Sequence, residues 1–463
     1  MKKHRLFFIV AVVSLLIGSC GPTKTPSSST ISSSPSQITD SSYLSNISST
    51  DLISSNTTIS LSTTVSSNST SSSTFTPTKP TGKIDDPFSK TTCTNFRIYT
   101  IEMINQYGDS LLIHCGGDYD DPNADHSDDF NMLIDAGQSA DSGTNGLVRK
   151  AVKKYANNDL DVVLFTHGHA DHIGGMPGLF NNNNIDVDMF IDFGYIYAGN
   201  SGNAPTAGYN SYAEARNRLI AKGTNYCTAS ASINNSGVCS SKYYLAPDLT
   251  FEIINTGNYI NDQFEYVHNS ECNNTSIAGL FRYKDFTFLT TGDLDSESVL
   301  CKYPDLPNDV TLYKAAHHCS DTSNSAQLLN RITPKYVVMS AACLGAYSNY
   351  NTGSTNKDHP NPIALKRIFS KVDKNNVFLN MTMGTIICNI DVDDPTKITF
   401  SGEGATKMKN PKKTTDPNAP DIKEEKDLPL VQTYFYNHTL INYSGTESTL
   451  ANMTKVYPDV TQE

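Results

Sequence analysis

The stretch Thr166–Gly175, THGHADHIGG, constrains this chain more than any other. It follows Val162, Val163, Leu164 and Phe165, an apolar run that reads as a short buried strand, and it ends in two glycines. That pattern predicts a strand-to-helix loop. Side chains two apart on an extended segment point the same way, so His167 and His169 can converge on one metal ion. Asp171 and His172 follow where the chain turns into a helix, and adjacent residues at such a turn can face a second ion. Gly174 and Gly175 let the new helix start close to the sheet. Imidazoles and carboxylates at this spacing suit zinc or manganese, with a metal-activated water as nucleophile. A His-rich surface loop is the bland alternative, but four ligand-type residues within six positions, pinned behind a strand, do not arise in ordinary loops.

Composition then trims the chain. Of 463 residues, Met1–Arg5 is basic, Leu6–Gly18 is almost wholly apolar, and Ile17-Gly18-Ser19-Cys20 closes the run. This reads as a signal peptide with a lipobox over 1–20, resembling bacterial lipoprotein signals. That resemblance implies cleavage before Cys20, which would carry the lipid and hold the protein at the cell surface, outside the cytoplasm. Residues 21–82 are dominated by Ser and Thr and have too little apolar surface to offset their ordering entropy, so they read as a disordered tether. The remainder is long enough for one large α/β domain over 93–402. Beyond it, 403–463 reads as a linker and C-terminal extension, with a possible strand pair at Val431–Tyr443. A net charge of −12 argues against a basic nucleic-acid groove over the whole surface. The sequence calls for no obligate protein partner, and for membrane contact only through the N-terminal lipid. Of ten cysteines, nine remain after Cys20, so at least one thiol stays free. Cys227 and Cys239 flank a Ser/Asn/Gly loop that a disulfide could close.

Alternation and apolar runs predict strands over 95–103, 109–114, 130–135, 187–191, 276–283, 286–291, 310–315, 336–340, 377–379 and 385–391. A helix is predicted from Leu147 to Tyr155, another over 211–222, and a third from about 363. The aspartates of 118–129 read as a solvated insertion, since no EF-hand spacing appears. Asp293 ends a strand at the same sheet end as His167, where a carboxylate can bridge two ions. The pair His317-His318, at a strand end before Ser320 and Ser323, offers one ligand and one donor toward a substrate oxygen. His359 stands beside a helix N-terminus, where anions are favoured. The tyrosines between Tyr195 and Tyr244 read equally as packing or as substrate contacts.

The stretch THGHADHIGG resembles the HxHxDH signature of the metallo-β-lactamase superfamily at every position. The ordered set DSLLI, LIDAG, THGHADHIGG, NNTSIAGL, FLTTGD, AHHCSDTSNS and DHPNP, over about residues 95–392, looks like the metallo-β-lactamase-like domain of the competence protein ComEC. This resemblance implies an α/β fold of the αββα type, two mixed sheets packed face to face and flanked by helices. It implies a dinuclear site of zinc or manganese, with His167 and His169 on one ion, Asp171 and His172 on the other, Asp293 between them, and His317 or His318 with His359 completing the set. Asp135, in the Asp-x-Gly motif, would lie beneath the metal loop. Asp171 and His318 would serve catalysis, and Ser320 and Ser323 would contact phosphate. Three departures stand out: His169 where ComEC-type domains commonly have Asp, Cys319 where they have Gly, and no membrane channel. The third metal histidine usual in β-lactamases is also missing, since His268 falls outside the matching position. The implied reaction is phosphodiester hydrolysis on DNA, a nucleotide or a surface polymer. Related surface phosphorylcholine esterases keep a second activity open, and a metal-free surface-binding lipoprotein is the reading of another class.

Overall fold

The computed structural model describes residues 90, 92–103, 108–181, 185–200, 204–255, 266–341, 359–360 and 362–403, all in the unit 74–463. The leader, Cys20, the tether, the 404–463 extension and Asp358 and Asn361 of DHPNP lie outside the described residues.

The strand behind the metal loop sets the layering. In β4 (Asp159–Leu164), Val162 and Leu164 face one core while Val163 and the following Phe165 face another, so both surfaces of the strand are covered. That is why its sequence is a continuous apolar run rather than an alternating one. The neighbouring strands are β1 (Asn95–Thr100), β2 (Leu111–Gly116), β3 (Phe130–Ile134), β5 (Asp186–Asp192), β7 (Asn225–Thr228), β16 (Ile386–Ile390) and β17 (Ile398–Gly402). They form an eight-stranded sheet in the order β17-β16-β1-β2-β3-β4-β5-β7. It is antiparallel from β17 to β3 and parallel from β3 to β7. A second sheet joins β8 (Lys242–Ala246), β9 (Leu249–Ile253), β11 (Gly279–Tyr283), β12 (Phe286–Thr290), β13 (Leu312–Lys314), β14 (Tyr336–Met339) and β15 (Val377–Leu379), seven strands in the order β15-β14-β13-β12-β11-β9-β8. Two short strands, β6 (Ile196–Gly199) and β10 (Tyr266–His268), pair beside them.

One core cluster lies between the sheets, joining Phe96, Ile113 and Met132 of the first to Phe251, Phe281 and Leu312 of the second. Outside the first sheet, helices 147–155 and 207–222 cover Leu133, Val163 and Phe190. Outside the second, helices 326–332 and 362–369 cover Leu289, Val337 and Met339. This is the expected αββα sandwich. Helix 147–155 buries Val148, Ala151, Val152 and Tyr155 at the expected spacing. Helix 207–222 begins four residues before the predicted 211, because the Thr206 side chain accepts from Tyr209 N–H at 3.1 Å and caps it there. Strands β6 to β10 and β17 were not among the sequence expectations; β8 and β9 form a hairpin.

Cys227 and Cys239 form the expected disulfide, with Cα atoms 5.6 Å apart, and Cys93 pairs with Cys115 at 5.1 Å. Cys272, Cys301, Cys319 and Cys388 are free thiols among the described residues. The acidic insertion is tied down rather than merely solvated: Arg97 bridges Asp118 and Asp120, each at 2.8 Å, and His126 meets Asp129 at 2.8 Å.

Candidate metal centre

Asp135 stands at the end of β3 and organises the loop above it. Its Oδ1 accepts from Thr166 N–H at 2.8 Å, and its Oδ2 accepts from the Thr166 hydroxyl at 2.7 Å and from His172 Nδ1 at 2.8 Å. The Thr166 proton is thereby committed to the carboxylate, so Thr166 Oγ1, 3.1 Å from His167 Nδ1, accepts a proton from that ring nitrogen. Both His167 and His172 then carry a proton on Nδ1 and turn Nε2 into the site. Asp135 therefore lies beneath the loop Thr166–Gly175. Gly175 allows the close approach of helix and sheet, since a Cβ there would lie 2.0 Å from the Ala136 carbonyl oxygen.

The side chains separate into two groups. His167 Nε2 and His169 Nδ1 face each other at 3.0 Å, and one ligand atom each of His167, His169 and Cys272 lies within 4.8 Å of the others. Asp171, His172, Asp293 and His318 form a second set within the same 4.8 Å limit. Asp293 touches both sets. Its Oδ2 is 3.1 Å from His172 Nε2, 3.3 Å from His318 Nε2 and 3.9 Å from His167 Nε2, and the residue is 1 % exposed. Its backbone N–H is held by Ser276 Oγ at 3.1 Å, which explains the NNTS stretch ahead of β11.

The His pair is sorted by the backbone. His318 is buried, with Nε2 3.2 Å from Asp171 Oδ2 and Nδ1 3.1 Å from the Ser340 carbonyl. His317 is partly exposed and its Nδ1 meets Asp295 Oδ1 at 3.0 Å. The His359 ring centroid is 5.2 Å from that of His317 and 5.9 Å from that of His318, beside the clusters rather than inside them. Ser323 Oγ donates to Asp295 Oδ1 at 2.9 Å, and Ser320 Oγ lies 2.9 Å from Thr322 Oγ1. Cys319 packs in the core outside the second sheet, so its thiol points away from the metal ligands. Behind His318, a buried Lys314–Asp109 ion pair presents Asp109 Oδ1 3.5 Å from His318 Nδ1.

Electrostatics test whether these donors fit cations. Burial alone would raise the Asp171 carboxyl, but His172 and His318 outweigh it and hold it down at about 2. Burial would likewise raise Asp293, yet His172, His318 and His317 hold it well below the carboxylate range. For His172 and His318, burial pushes downward, and the facing carboxylates, Asp293 foremost, override it and lift both well above the ordinary value. Burial, with His172 and His169 beside it, keeps His167 neutral. The site thus holds ionised carboxylates and demands positive charge among them. His172 Nε2 and Asp293 Oδ1 are buried without hydrogen-bond partners, which is the state of ligand atoms facing a cation. The residues fit divalent metals.

Residues 125–342 match the family model described as "Metallo-beta-lactamase superfamily". The chain carries a metallo-β-lactamase superfamily domain. The superfamily typically binds a dinuclear metal site, for which the two donor sets are the candidates. No curated protein matches the chain. Among solved structures it is similar to the metallo-β-lactamase-fold protein YhfI from Bacillus subtilis, with 11% identity and a TM-score of 0.33 over 62% of this chain and 96% of that one. A diphosphatase from the PhnP family gives 12% identity and a TM-score of 0.27 over 53% and 86%. The short form of human tRNase Z gives 11% and 0.28 over 61% and 95%.

Sequence reasoning missed Cys272, Asp295, Asp109 and Lys314. Only Cys272 left a signal, as the one donor-type residue directly ahead of the NNTS stretch.

Proposed function

We propose that this metallo-β-lactamase domain hydrolyses phosphodiesters. The observation that carries the reading is Asp293, a single buried carboxylate within 3.9 Å of ring nitrogens from both donor sets. One carboxylate shared by two metal sites is an arrangement that in-line displacement at phosphorus can use. His167 and His169 would hold one zinc or manganese ion and Asp171, His172 and His318 the other, with Asp293 common to both. Two cations held there would polarise a water and neutralise the charge of the substrate phosphate.

The remaining chemistry belongs to this chain's own side chains. His317 is partly exposed at the site with Nδ1–H donating to Asp295, which turns Nε2 toward the site; there the neutral ring would take a proton from the attacking water, and the imidazolium so formed would return it to the departing oxygen. Asp295 also accepts from Thr322 and Ser323 and is 3.1 Å from Asn273 Nδ2, so the imidazole is held in one orientation. Burial of Asp295 would raise its pKa, but these hydrogen bonds, His317 first, keep it below the ordinary value.

The phosphorylcholine reading needs an aromatic cage; one tyrosine, Tyr197, lies edge-on to the His169 ring at 5.3 Å, whereas four others are committed elsewhere. Tyr195, Tyr209 and Tyr212 pack with Phe193, while Tyr212, Tyr226 and Arg216 surround Asp192.

The test is hydrolysis of plasmid DNA and of a simple bis-aryl phosphodiester by the full chain, beside a choline-phosphate ester. Activity should vanish with chelator and in His167→Ala. His317→Ala should lose about 10²- to 10⁴-fold while keeping its metals. Cleavage of the choline ester alone, or of nothing although two metals are bound, would overturn the substrate assignment.

A further inference from the structure

In the first donor set His167 and His169 supply two nitrogens, and the histidine that would complete such a set is missing from the sequence. The place is filled in space. The helix 269–272 brings Cys272 to the two imidazoles, with one ligand atom of each within 4.8 Å of the others. Cys272 is fully buried and is a free thiol in a chain that forms two disulfides.

Three further observations bear on what meets there. The Thr166 bridge leaves His167 Nε2 as a bare lone pair 3.0 Å from His169 Nδ1, so a proton or a cation must be shared between them. Asp293, also buried, brings its Oδ2 to 3.9 Å from that Nε2 and has an Oδ1 with no hydrogen-bond partner. The sulfur has a donor of its own: Tyr195 Oη lies 3.2 Å from Cys272 Sγ. That hydroxyl accepts from Gly168 N–H and from the Thr275 hydroxyl, each at 2.9 Å, which leaves its own proton for the sulfur. A hydroxyl donating to sulfur supports a thiolate. Gly168 cannot be replaced without disturbing this, since a Cβ would lie 2.7 Å from Tyr197 Cβ and 3.3 Å from the Tyr195 ring.

We propose that Cys272 is the third protein ligand of the first metal ion, giving a His167–His169–Cys272 set beside the all-nitrogen-and-oxygen set of the second. This rests on the reading of the centre as dinuclear. A thiolate among two imidazoles favours zinc over manganese at this position, because manganese prefers oxygen donors. The two ions would then differ in chemistry, the first softer and the second hard enough to be exchanged for manganese.

Cobalt(II) reads this directly, since a thiolate ligand adds a near-ultraviolet charge-transfer band that nitrogen and oxygen ligands do not. The full chain saturated with cobalt should show the band. Cys272→Ser should lose it and bind one of its two metals at least tenfold more weakly, while Cys301→Ser should keep both. Cys272→His restores a nitrogen donor, and should bind two metals without the band; it keeps the test decisive if the serine variant fails to fold. A cobalt-saturated wild type without the band, or a band that survives in either Cys272 variant, overturns the assignment. No substrate is involved, so a protein that cleaves no phosphodiester yet shows the band refutes the reaction and leaves the ligand set standing.

Discussion

Asp135 adopts φ 57°, a left-handed conformation uncommon for a residue with a side chain, and uses both carboxylate oxygens to fix Thr166 and His172. An amide in its place keeps one acceptor and turns a donor toward groups that are donors already. In Asp135→Asn the amide nitrogen faces either Thr166 N–H or, together, the Thr166 hydroxyl and His172 Nδ1–H, so the loop loses an acceptor either way and the carboxylate that fixes the two histidine tautomers is gone. Metal affinity should fall about 10- to 100-fold with the fold intact, measured by competition against a chelating dye; unchanged affinity would show that the tautomers are set by something else. Asp135 was legible in the sequence because it lies in a short motif closing a strand, and the four donors from His167 to His172 were legible because they share one loop. Cys272, Asp109 and Lys314 were not. Cys272 meets His167 and His169 across about a hundred residues of chain and Lys314 meets Asp109 across 205, and no local spacing records such meetings. The sorting of His317 from His318 was equally hidden, since both take φ 49° and neighbouring residues in that conformation diverge in directions no sequence period describes.

Three consecutive left-handed residues, His317, His318 and Cys319, make the segment after β13 costly, at about 1–2 kcal/mol each. It persists because its surroundings hold it. Asn324 bonds Ala316 from both sides, accepting its N–H and donating to its carbonyl, each at 3.0 Å. Glu297, on the short helix 297–302, accepts from Asn324 N–H at 2.7 Å and Ser325 N–H at 2.6 Å, where helix 326–332 begins. Burial raises the Glu297 carboxyl to about 7 from an ordinary 4.5, against the pull of the Ser325 and Asn324 hydrogen bonds. Between those values the folded protein keeps a proton that the unfolded chain gives up. Stability contributed by this group is therefore full below about pH 4.5 and declines as pH rises toward 7. Glu297→Gln removes that slope and leaves one backbone N–H without its acceptor, so it should cost about 1–3 kcal/mol in urea unfolding. Equal stability across pH 5 to 8 for both proteins would mean that Glu297 does not brace the segment. The elements around it were legible where their patterns were strong, as in helix 147–155 and the hairpin at Lys284-Asp285. The hairpin β8–β9 was missed although Leu249, Phe251 and Ile253 alternate inward with Thr250 and Glu252, because the polar residues before it dominate the composition.

The donors are drawn from both halves of the sandwich. His167, His169, Asp171 and His172 follow β4 of the first sheet, whereas Asp293 and His318 follow β12 and β13 of the second. Cations bound between them join the sheets at one end, opposite in character to the apolar cluster that joins them along their length. Metal that binds the folded protein and not the unfolded chain stabilises it by about 2.7 kcal/mol at a hundredfold excess over the dissociation constant. For a domain of this size that corresponds to a melting shift of roughly 4–6 °C. Protons compete for the same nitrogens, and His172 and His318 are held well above the ordinary histidine value by the carboxylates they face, so this stabilisation should shrink as pH falls. Calorimetry of the full chain, with zinc and with chelator at pH 8 and again at pH 5, separates the contributions. A zinc-dependent rise at pH 8 that diminishes at pH 5 is expected. A melting temperature indifferent to zinc at both would mean that the sheets are held by their shared core alone, and that the ligands stand preformed without contributing to the fold.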